Sequence, residues 1–151
     1  MIKYSMKTRN QTTIIILLVL SLAFTVFTSC KQRDFKTDYF KIRIDKKGYI
    51  TSMQNISASP KREFSPSDKP SPLMSLYNGT EKVYYEPQSA EYNKTDKTIT
   101  LNYQNGSVAR VLIDTNEKYL KLTLMSLEPR DGVDGVQWGP YHTNITNLMG
   151  E

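Results

Sequence analysis

Short runs in which every second residue is apolar recur along most of this 151-residue chain. The alternation is clearest in Phe40–Ile44, Thr98–Tyr103 and Leu120–Leu124. A period of two is typical of a strand with one buried face, because successive side chains point to opposite faces of a sheet. Turn signals spaced roughly 8–12 residues apart leave no room for a long helix. The sequence therefore predicts an all-β fold, an antiparallel β-sandwich.

Turn-forming residues divide these runs into hairpins. The strongest signal is Asn105-Gly106, since both residues tolerate the positive φ angles of a two-residue turn. Ser57–Pro72 contains four of the seven prolines and predicts an irregular loop, because proline lacks the N–H donor of a strand. The predicted pairs are Phe40–Ile44 with Tyr49–Asn55, Leu73–Tyr77 with Lys82–Glu86, Ser89–Asn93 with Thr98–Tyr103, and Thr98–Tyr103 with Val108–Asp114.

The turn at Asn105-Gly106 also predicts which residues face each other across its strands. A two-residue turn places Leu101 opposite Arg110 and Ile99 opposite Leu112. Arg110 then lies on an otherwise apolar face. Either its aliphatic stem packs there while the guanidinium reaches water, or the guanidinium contacts a ligand. Arg110 is therefore a candidate ligand-binding residue.

The N-terminal region has a different composition. Lys3, Lys7 and Arg9 precede an uncharged apolar run, Thr13–Phe27, which is too short to span a bilayer comfortably. A basic head followed by such a run is the order of a secretory signal peptide. Met1–Ser29 is accordingly predicted to be a cleaved export signal. A buried core segment and an uncleaved anchor are the alternatives.

Cys30 follows this apolar run directly after Thr28 and Ser29. A single cysteine cannot form a disulfide within the chain, so its presence in an exported protein needs another explanation. The arrangement resembles the lipobox of bacterial lipoproteins, although Phe27 replaces the usual leucine. The resemblance implies acylation of Cys30, for example by palmitate, and attachment to the outer membrane, facing the periplasm or the cell surface. An unmodified buried thiol is the alternative.

The charges after the signal nearly balance. The signal holds three of the 20 basic residues, which leaves 17 against 15 acidic residues. No basic run lines a predicted element, so the sequence argues against nucleic acid as a partner. Lys31–Asp38 is rich in charge and predicts a polar tether. Residues 30–38 are thus the expected linker, and residues 39–151 the expected β domain.

Sequence motifs for catalysis and metal binding are missing. There is no G-x-S-x-G, no H-E-x-x-H, no phosphate-binding loop and no C-x-x-C, so no catalytic residue, cofactor or metal is predicted. His142, the single histidine, lies beside Tyr141 and is either an acid–base group or a structural residue. Asp131 and Asp134 lie in a glycine-rich turn without the pattern of a calcium loop.

Aromatic residues, at 11% of the chain, are the positive signal for ligand binding. Tyrosine and tryptophan combine an apolar ring face with a polar edge, which suits stacking on the C–H face of a sugar. Packing within and between strands is the commoner use of such residues. Seven aromatic residues in or beside predicted strands are considered for such a surface: Tyr84, Tyr85, Tyr92, Tyr103, Tyr119, Trp138 and Tyr141.

Trp138–Ile145, followed by Gly150-Glu151, is similar to a segment of exported Bacteroidetes carbohydrate-active lipoproteins. In that family a Trp-Gly-Pro-aromatic stretch, a Thr-x-Ile step and a Gly-Glu pair close an N-terminal β-sandwich that precedes further domains. Ile44–Ser52 and Pro72-Leu73-Met74 also resemble the opening of such a sandwich. The resemblance covers Tyr39–Glu151 and implies a non-catalytic sandwich associated with glycoside hydrolases.

The expected function is therefore that of a membrane-anchored lipoprotein, not an enzyme, with a sandwich that binds a glycan. The candidate ligand-binding residues are Trp138, Tyr141, His142 and Arg110. Because the related proteins continue past the Gly-Glu pair, the β domain is expected to be incomplete at its C-terminus, and a fragment of a glycoside hydrolase is an alternative.

Two other classes of function stay open. A structural or assembly lipoprotein would hold a protein partner through a sheet edge or through Ser57–Pro72. A small enzyme would instead need acids such as Asp114, Asp131 or Asp134 to converge with His142 in a cleft.

Overall fold

Every regular element in the described part of the chain is a β-strand. The computed structural model describes residues 32–66 and 68–145, and Lys31–Glu151 forms one compact unit. None of the described residues belongs to a helix long and apolar enough to cross a membrane. The strands are β1 Arg33–Lys36, β2 Phe40–Ile44, β3 Tyr49–Asn55, β4 Arg62–Glu63, β5 Ser71–Pro72, β6 Met74–Asn78, β7 Val83–Tyr85, β8 Pro87–Asn93, β9 Thr98–Tyr103, β10 Val108–Thr115, β11 Leu120–Glu128 and β12 Gly135–Trp138.

These strands pair antiparallel in three sheets. Sheet 1 has the order β1-β2-β3-β4, with β5 beside β3; sheet 2 has the order β12-β6-β7; and sheet 3 has the order β11-β10-β9-β8. The four predicted hairpins are present as β2–β3, β6–β7, β8–β9 and β9–β10. The predicted all-β antiparallel sandwich is confirmed.

The apolar faces of the three sheets share one core. The rings of Phe35 on β1 and Tyr92 on β8 meet edge to face with centroids 5.1 Å apart, which joins sheet 1 to sheet 3. The buried Tyr103 hydroxyl donates to Met74 O at 3.0 Å and joins sheet 3 to sheet 2. The other buried apolar residues are Ile42, Ile44, Ile50, Met53, Leu73, Leu76, Ile99, Leu101, Ala109, Val111, Ile113 and Leu127.

Arg33–Lys36 is a strand of sheet 1, so the predicted tether is wrong over this stretch. Phe35 alone among the four residues enters the core, where it is 6% exposed. Asp34 on the other face accepts from Arg43 Nε at 2.7 Å, and this bond helps to lower the pKa of the Asp34 carboxyl. Cross-strand ion pairs of this kind allow a charged segment to form an edge strand.

The β9–β10 loop is one residue longer than predicted. Gly106 N donates to Tyr103 O at 3.0 Å and Tyr103 N donates to Ser107 O at 3.0 Å, which leaves a three-residue loop with Gly106 at a φ of 83°. A tight turn followed by glycine at positive φ produces this loop. Arg110 therefore faces Thr100, and the predicted pairing of Leu101 with Arg110 is wrong. One residue of slip exchanges the two faces of a strand.

Ser57–Pro72 is irregular over most of its length, but it is attached to sheet 1 at two points. β4 pairs with the end of β3, and β5 pairs with its beginning. The Glu63 carboxylate reinforces the first attachment by accepting from Ser52 Oγ at 2.6 Å and from Met53 N at 2.7 Å. The loop is consequently attached to sheet 1 near its middle and at its end.

Several predictions concern other parts of the chain. The signal peptide Met1–Ser29, the lipidated Cys30 and the Gly150-Glu151 pair lie outside the described residues. They stay predictions.

Candidate functional site

Three connections between strands meet around an open groove of about 500 Å³. Ligand-binding clefts commonly have volumes of about 300–1000 Å³. The β2–β3 turn and the start of β3 form one side, the β7–β8 segment forms another, and the β9–β10 turn contributes one residue. We call this the tyrosine groove; it is lined by Lys47, Tyr49, Tyr84, Tyr85, Glu86, Pro87, Gln88 and Gln104.

Gly48 brings the first two connections together. Its φ is 90°, and a Cβ at this position would lie 2.7 Å from Leu101 Cδ2 and 3.2 Å from Pro87. Leu73 N donates to Gly48 O at 2.9 Å, and Ala90 N donates to Lys46 O at 2.7 Å. A glycine is therefore required for this close approach, and backbone hydrogen bonds on both sides fix the shape of the groove.

A tyrosine–carboxylate pair lies across the groove. The Tyr49 hydroxyl donates to Glu86 Oε2 at 2.6 Å. Burial, followed by this hydrogen bond and the negative charge of Glu86, raises the pKa of Tyr49 well above its ordinary range. The phenol consequently keeps its proton and donates it to the carboxylate, which orients Glu86 in the groove.

Tyr84 supplies an exposed aromatic ring at the same place. Its side chain is 54% exposed, and its ring packs against that of Tyr77 on the neighbouring strand, with centroids 4.9 Å apart. The adjacent Tyr85 is fixed differently, because its hydroxyl donates to Glu81 Oε2 at 2.7 Å. Tyr84 is therefore held by one neighbouring ring while a large part of its surface still faces solvent.

Most other polar groups that line the tyrosine groove have no hydrogen-bond or ion-pair partner among the described residues. Within residues 32–66 and 68–145, the side chains of Lys47, Gln88 and Gln104 take part in no hydrogen bond or ion pair. Glu86 uses Oε2 for Tyr49, and its Oε1 makes no such bond in the same part of the chain. These groups together offer both donors and acceptors to a ligand.

Three of the predicted ligand-binding residues lie elsewhere, in Trp138–Ile145, which we call the C-terminal segment. Trp138 ends β12 opposite Met74, and its side chain is 36% exposed. The Tyr141 hydroxyl donates to Leu73 O at 3.0 Å, and burial raises the pKa of Tyr141 to about 12. His142 N donates to Ser71 Oγ at 2.8 Å.

Asn144 continues this attachment of the C-terminal segment. Its backbone N donates to Phe64 O at 2.9 Å, and its Nδ2 donates to Glu63 O at 3.0 Å. The segment thus crosses from sheet 2 to the β4 end of sheet 1. The contacts of Tyr141, His142 and Asn144 are with the protein itself, which indicates that the segment fastens the two sheets together.

Arg110, the fourth predicted ligand-binding residue, lies on sheet 3, apart from the segment that carries the other three. Its side chain is exposed, and Nη2 lies 3.8 Å from Asp96 Oδ2. The prediction that Arg110 lies on an apolar face is wrong. In the observed register Arg110 lies opposite Thr100 on β9 and Ser126 on β11.

The acidic residues considered for catalysis have separate positions. Asp134 accepts from Gly79 N at 2.6 Å, and Asp114 on β10 lies opposite Lys121 in the register with β11. Among the residues that the structure describes, no group of three or more histidine, cysteine, aspartate or glutamate side chains could hold a metal ion.

Comparison with protein-family profiles, with curated proteins and with solved structures finds no match for this chain. The resemblance to carbohydrate-active lipoproteins therefore stays a prediction.

The tyrosine groove differs from the site expected from the sequence. Tyr84 and Tyr85 are among the strand-associated aromatics, but Lys47, Glu86 and Gln104 belong to turns and connections that contain no recognisable motif. Their proximity depends on how three sheets pack. The one local signal is Gly48, whose place in a predicted turn does not reveal its contact with Pro87.

Proposed function

We propose that the protein is an exported lipoprotein, anchored to a membrane through Cys30, whose β-sandwich binds a glycan without cleaving it. The tyrosine groove carries the proposal, because it places an exposed ring beside amide, carboxylate and ammonium groups in one open cleft. A sugar offers C–H faces that stack on aromatic rings and hydroxyls that both donate and accept hydrogen bonds. The resemblance of Trp138–Ile145 to carbohydrate-active lipoproteins agrees with this ligand class.

The proposed lipid anchor is close to the sandwich along the chain. Only Lys31 and Gln32 separate Cys30 from the first residue of β1. Three residue steps of extended chain span about 10 Å, so acyl chains on Cys30 would keep the sandwich near the membrane surface. The proposed protein is thus a binding module held close to the membrane surface.

Binding of a protein partner is the second candidate function. β12 is at the edge of sheet 2, where Val136 and Trp138 are both partly exposed. An edge strand can add a strand from a partner through main-chain hydrogen bonds. A folded protein that binds no glycan would favour this alternative.

Binding of the soluble unit Lys31–Glu151 to a glycan array, followed by calorimetry with the best ligand, tests the proposal. Tyr84→Ala is expected to lower the affinity about tenfold or more by removing the stacking ring. Trp138→Ala is the matched control and should change the affinity by less than about twofold. Circular dichroism verifies that each variant is folded. The opposite pattern would place the glycan at the C-terminal segment.

A further inference from the structure

The charges of the tyrosine groove limit which glycan it can accept, if the proposed function holds. Its lining contains one cation, Lys47, and one anion, Glu86. Glu86 is fixed by the Tyr49 hydroxyl at 2.6 Å, so its carboxylate cannot turn away without losing that bond. An anionic sugar in this groove would approach a fixed negative charge, with a single ammonium group to compensate for it.

The other polar groups match hydroxyls. Gln88 and Gln104 carry amides that can both donate and accept, and Glu86 Oε1 can accept from a hydroxyl. Uronate and sulfate groups, in contrast, are acceptors only, so they cannot donate to the acceptor oxygens of this lining. The lining is therefore complementary to a ligand rich in hydroxyl groups, which both donate and accept hydrogen bonds.

We propose that the tyrosine groove selects an uncharged glycan over a uronate-containing or sulfated one. Tyr84 stacks on a sugar ring, Glu86 Oε1 accepts a hydroxyl proton, and the Gln88 and Gln104 amides and the Lys47 ammonium bind the remaining hydroxyl oxygens. This selection rests on the proposed glycan-binding function and names its ligand class.

The experiment measures binding of Lys31–Glu151 to three sets of oligosaccharides: neutral, uronate-containing and sulfated. We expect the neutral set to bind, with affinity unchanged between about 0.05 and 0.5 M NaCl, because no net charge is neutralised. Glu86→Gln should lower this affinity about fivefold, because a charge-assisted hydrogen bond becomes a neutral one. Lys47→Gln should lower it by less than about threefold.

Matched variants distinguish a specific effect of the groove residues on affinity from a general effect of the protein's charge. Glu91→Gln on β8 and Lys46→Gln in the β2–β3 turn remove the same charges from residues that do not line the groove, so both should bind as the unchanged protein does. Tyr84→Phe keeps the ring and should retain most of the affinity that Tyr84→Ala loses, which would assign the loss to the ring and not to the hydroxyl.

Three other outcomes would each contradict the proposed preference for uncharged glycans, and they can be told apart. Binding only to uronate or sulfated sets, weakened by salt and by Lys47→Gln, would refute it and leave the glycan-binding function standing. Neutral binding that survives Tyr84→Ala and Glu86→Gln would place the ligand outside the tyrosine groove. No binding to any set, by a folded protein, would refute both this inference and the proposed function.

Discussion

The tyrosine groove and the C-terminal segment both present aromatic rings to solvent, but they use their polar atoms differently. In the C-terminal segment, the Tyr141 hydroxyl and the His142 backbone N–H are bonded to Leu73 O and Ser71 Oγ. In the groove, Tyr84 carries no such bond among the described residues, and the one internal pair, Tyr49 with Glu86, leaves a carboxylate oxygen for a ligand.

This difference shows that an exposed ring is a weak criterion for a binding site. Trp138 and Tyr84 are both partly exposed, and Trp138 lies in the segment with the stronger sequence signal. A ligand gains most binding free energy from polar groups that the fold orients but leaves without a protein partner. Such a ligand replaces water at these groups and breaks no hydrogen bond within the protein. By that criterion the groove is the better candidate site, and the segment holds the two sheets together.

Gly48→Ala tests the rigidity of the groove and is expected to have the largest effect. The new Cβ would lie 2.7 Å from Leu101 Cδ2, and the φ of 90° is unfavourable for alanine. Overpacking and backbone strain together should lower the free energy of unfolding by about 3 kcal/mol. Urea unfolding measures it, and glycan affinity should fall as Pro87 is displaced.

Gly106→Ala is the matched control for this substitution. Gly106 has a similar φ of 83°, but a Cβ there would have no neighbour within 4 Å. The cost should be confined to backbone strain, about 1 kcal/mol, with groove affinity unchanged. Equal losses of stability in the two variants would show that the contact with Leu101 and Pro87 is unimportant.

Tyr141→Phe and Ser71→Ala test the structural role of the C-terminal segment. Each leaves one backbone group of the attachment without its partner and should cost about 1–1.5 kcal/mol in unfolding experiments. Glycan affinity should stay within about twofold of the original value. Tyr119→Phe, which changes an exposed tyrosine, should alter neither property. If Tyr141→Phe abolished glycan binding in a folded protein, the two regions would have been assigned the wrong roles.

Most of the fold could be predicted from local patterns. Alternation and turn residues were sufficient for the β2–β3, β6–β7 and β8–β9 hairpins, because each turn is closed by residues only a few positions apart. β1 was missed because Phe35 is a single apolar residue in a charged stretch, and its stability as a strand depends on Arg43 and Tyr92. Long-range partners of this kind leave no periodic signal.

The sequence predicted the kind of ligand that the candidate site suits, but not which residues form the site. Aromatic content suggested a sugar platform, but the choice of Trp138 and Tyr141 over Tyr84 followed a sequence resemblance. The deciding facts are that Gly48 approaches Pro87 and that Tyr141 bonds to Leu73, 68 residues away. Neither contact can be predicted from the spacing of residues along the sequence.

Glu63→Gln tests the attachment of β4 to β3 by its effect on how stability depends on pH. Burial raises the pKa of this carboxyl, but bonds from Ser52 Oγ, Ser65 N and Met53 N outweigh it, so the pKa in the folded state is lowered. A lowered folded-state pKa stabilises the protein above the unfolded value, about 4.3, and this contribution is lost as the pH falls through the folded value.

The variant should therefore be less stable than the original protein by about 1 kcal/mol at neutral pH, with the difference shrinking in acid. Urea unfolding at about pH 7 and pH 3 provides the two values. A difference that did not change with pH would mean that the Glu63 carboxylate is not held by these donors.

Arg110→Ala is expected to have the smallest effect, although Arg110 was one of the four predicted ligand-binding residues. Its only ion pair among the described residues is exposed, with 3.8 Å between Nη2 and Asp96 Oδ2, so the loss should be below about 0.5 kcal/mol. Arg43→Ala is the contrasting variant, because Arg43 binds both oxygens of Asp34, at 2.7 and 3.2 Å. Its stability loss should exceed that of Arg110→Ala, since two aligned hydrogen bonds accompany the charge pair. Neither variant should change glycan affinity. A large loss for Arg110→Ala alone would indicate that the arginine packs on the apolar face after all, and that the β9–β10 register is the one expected from a two-residue turn.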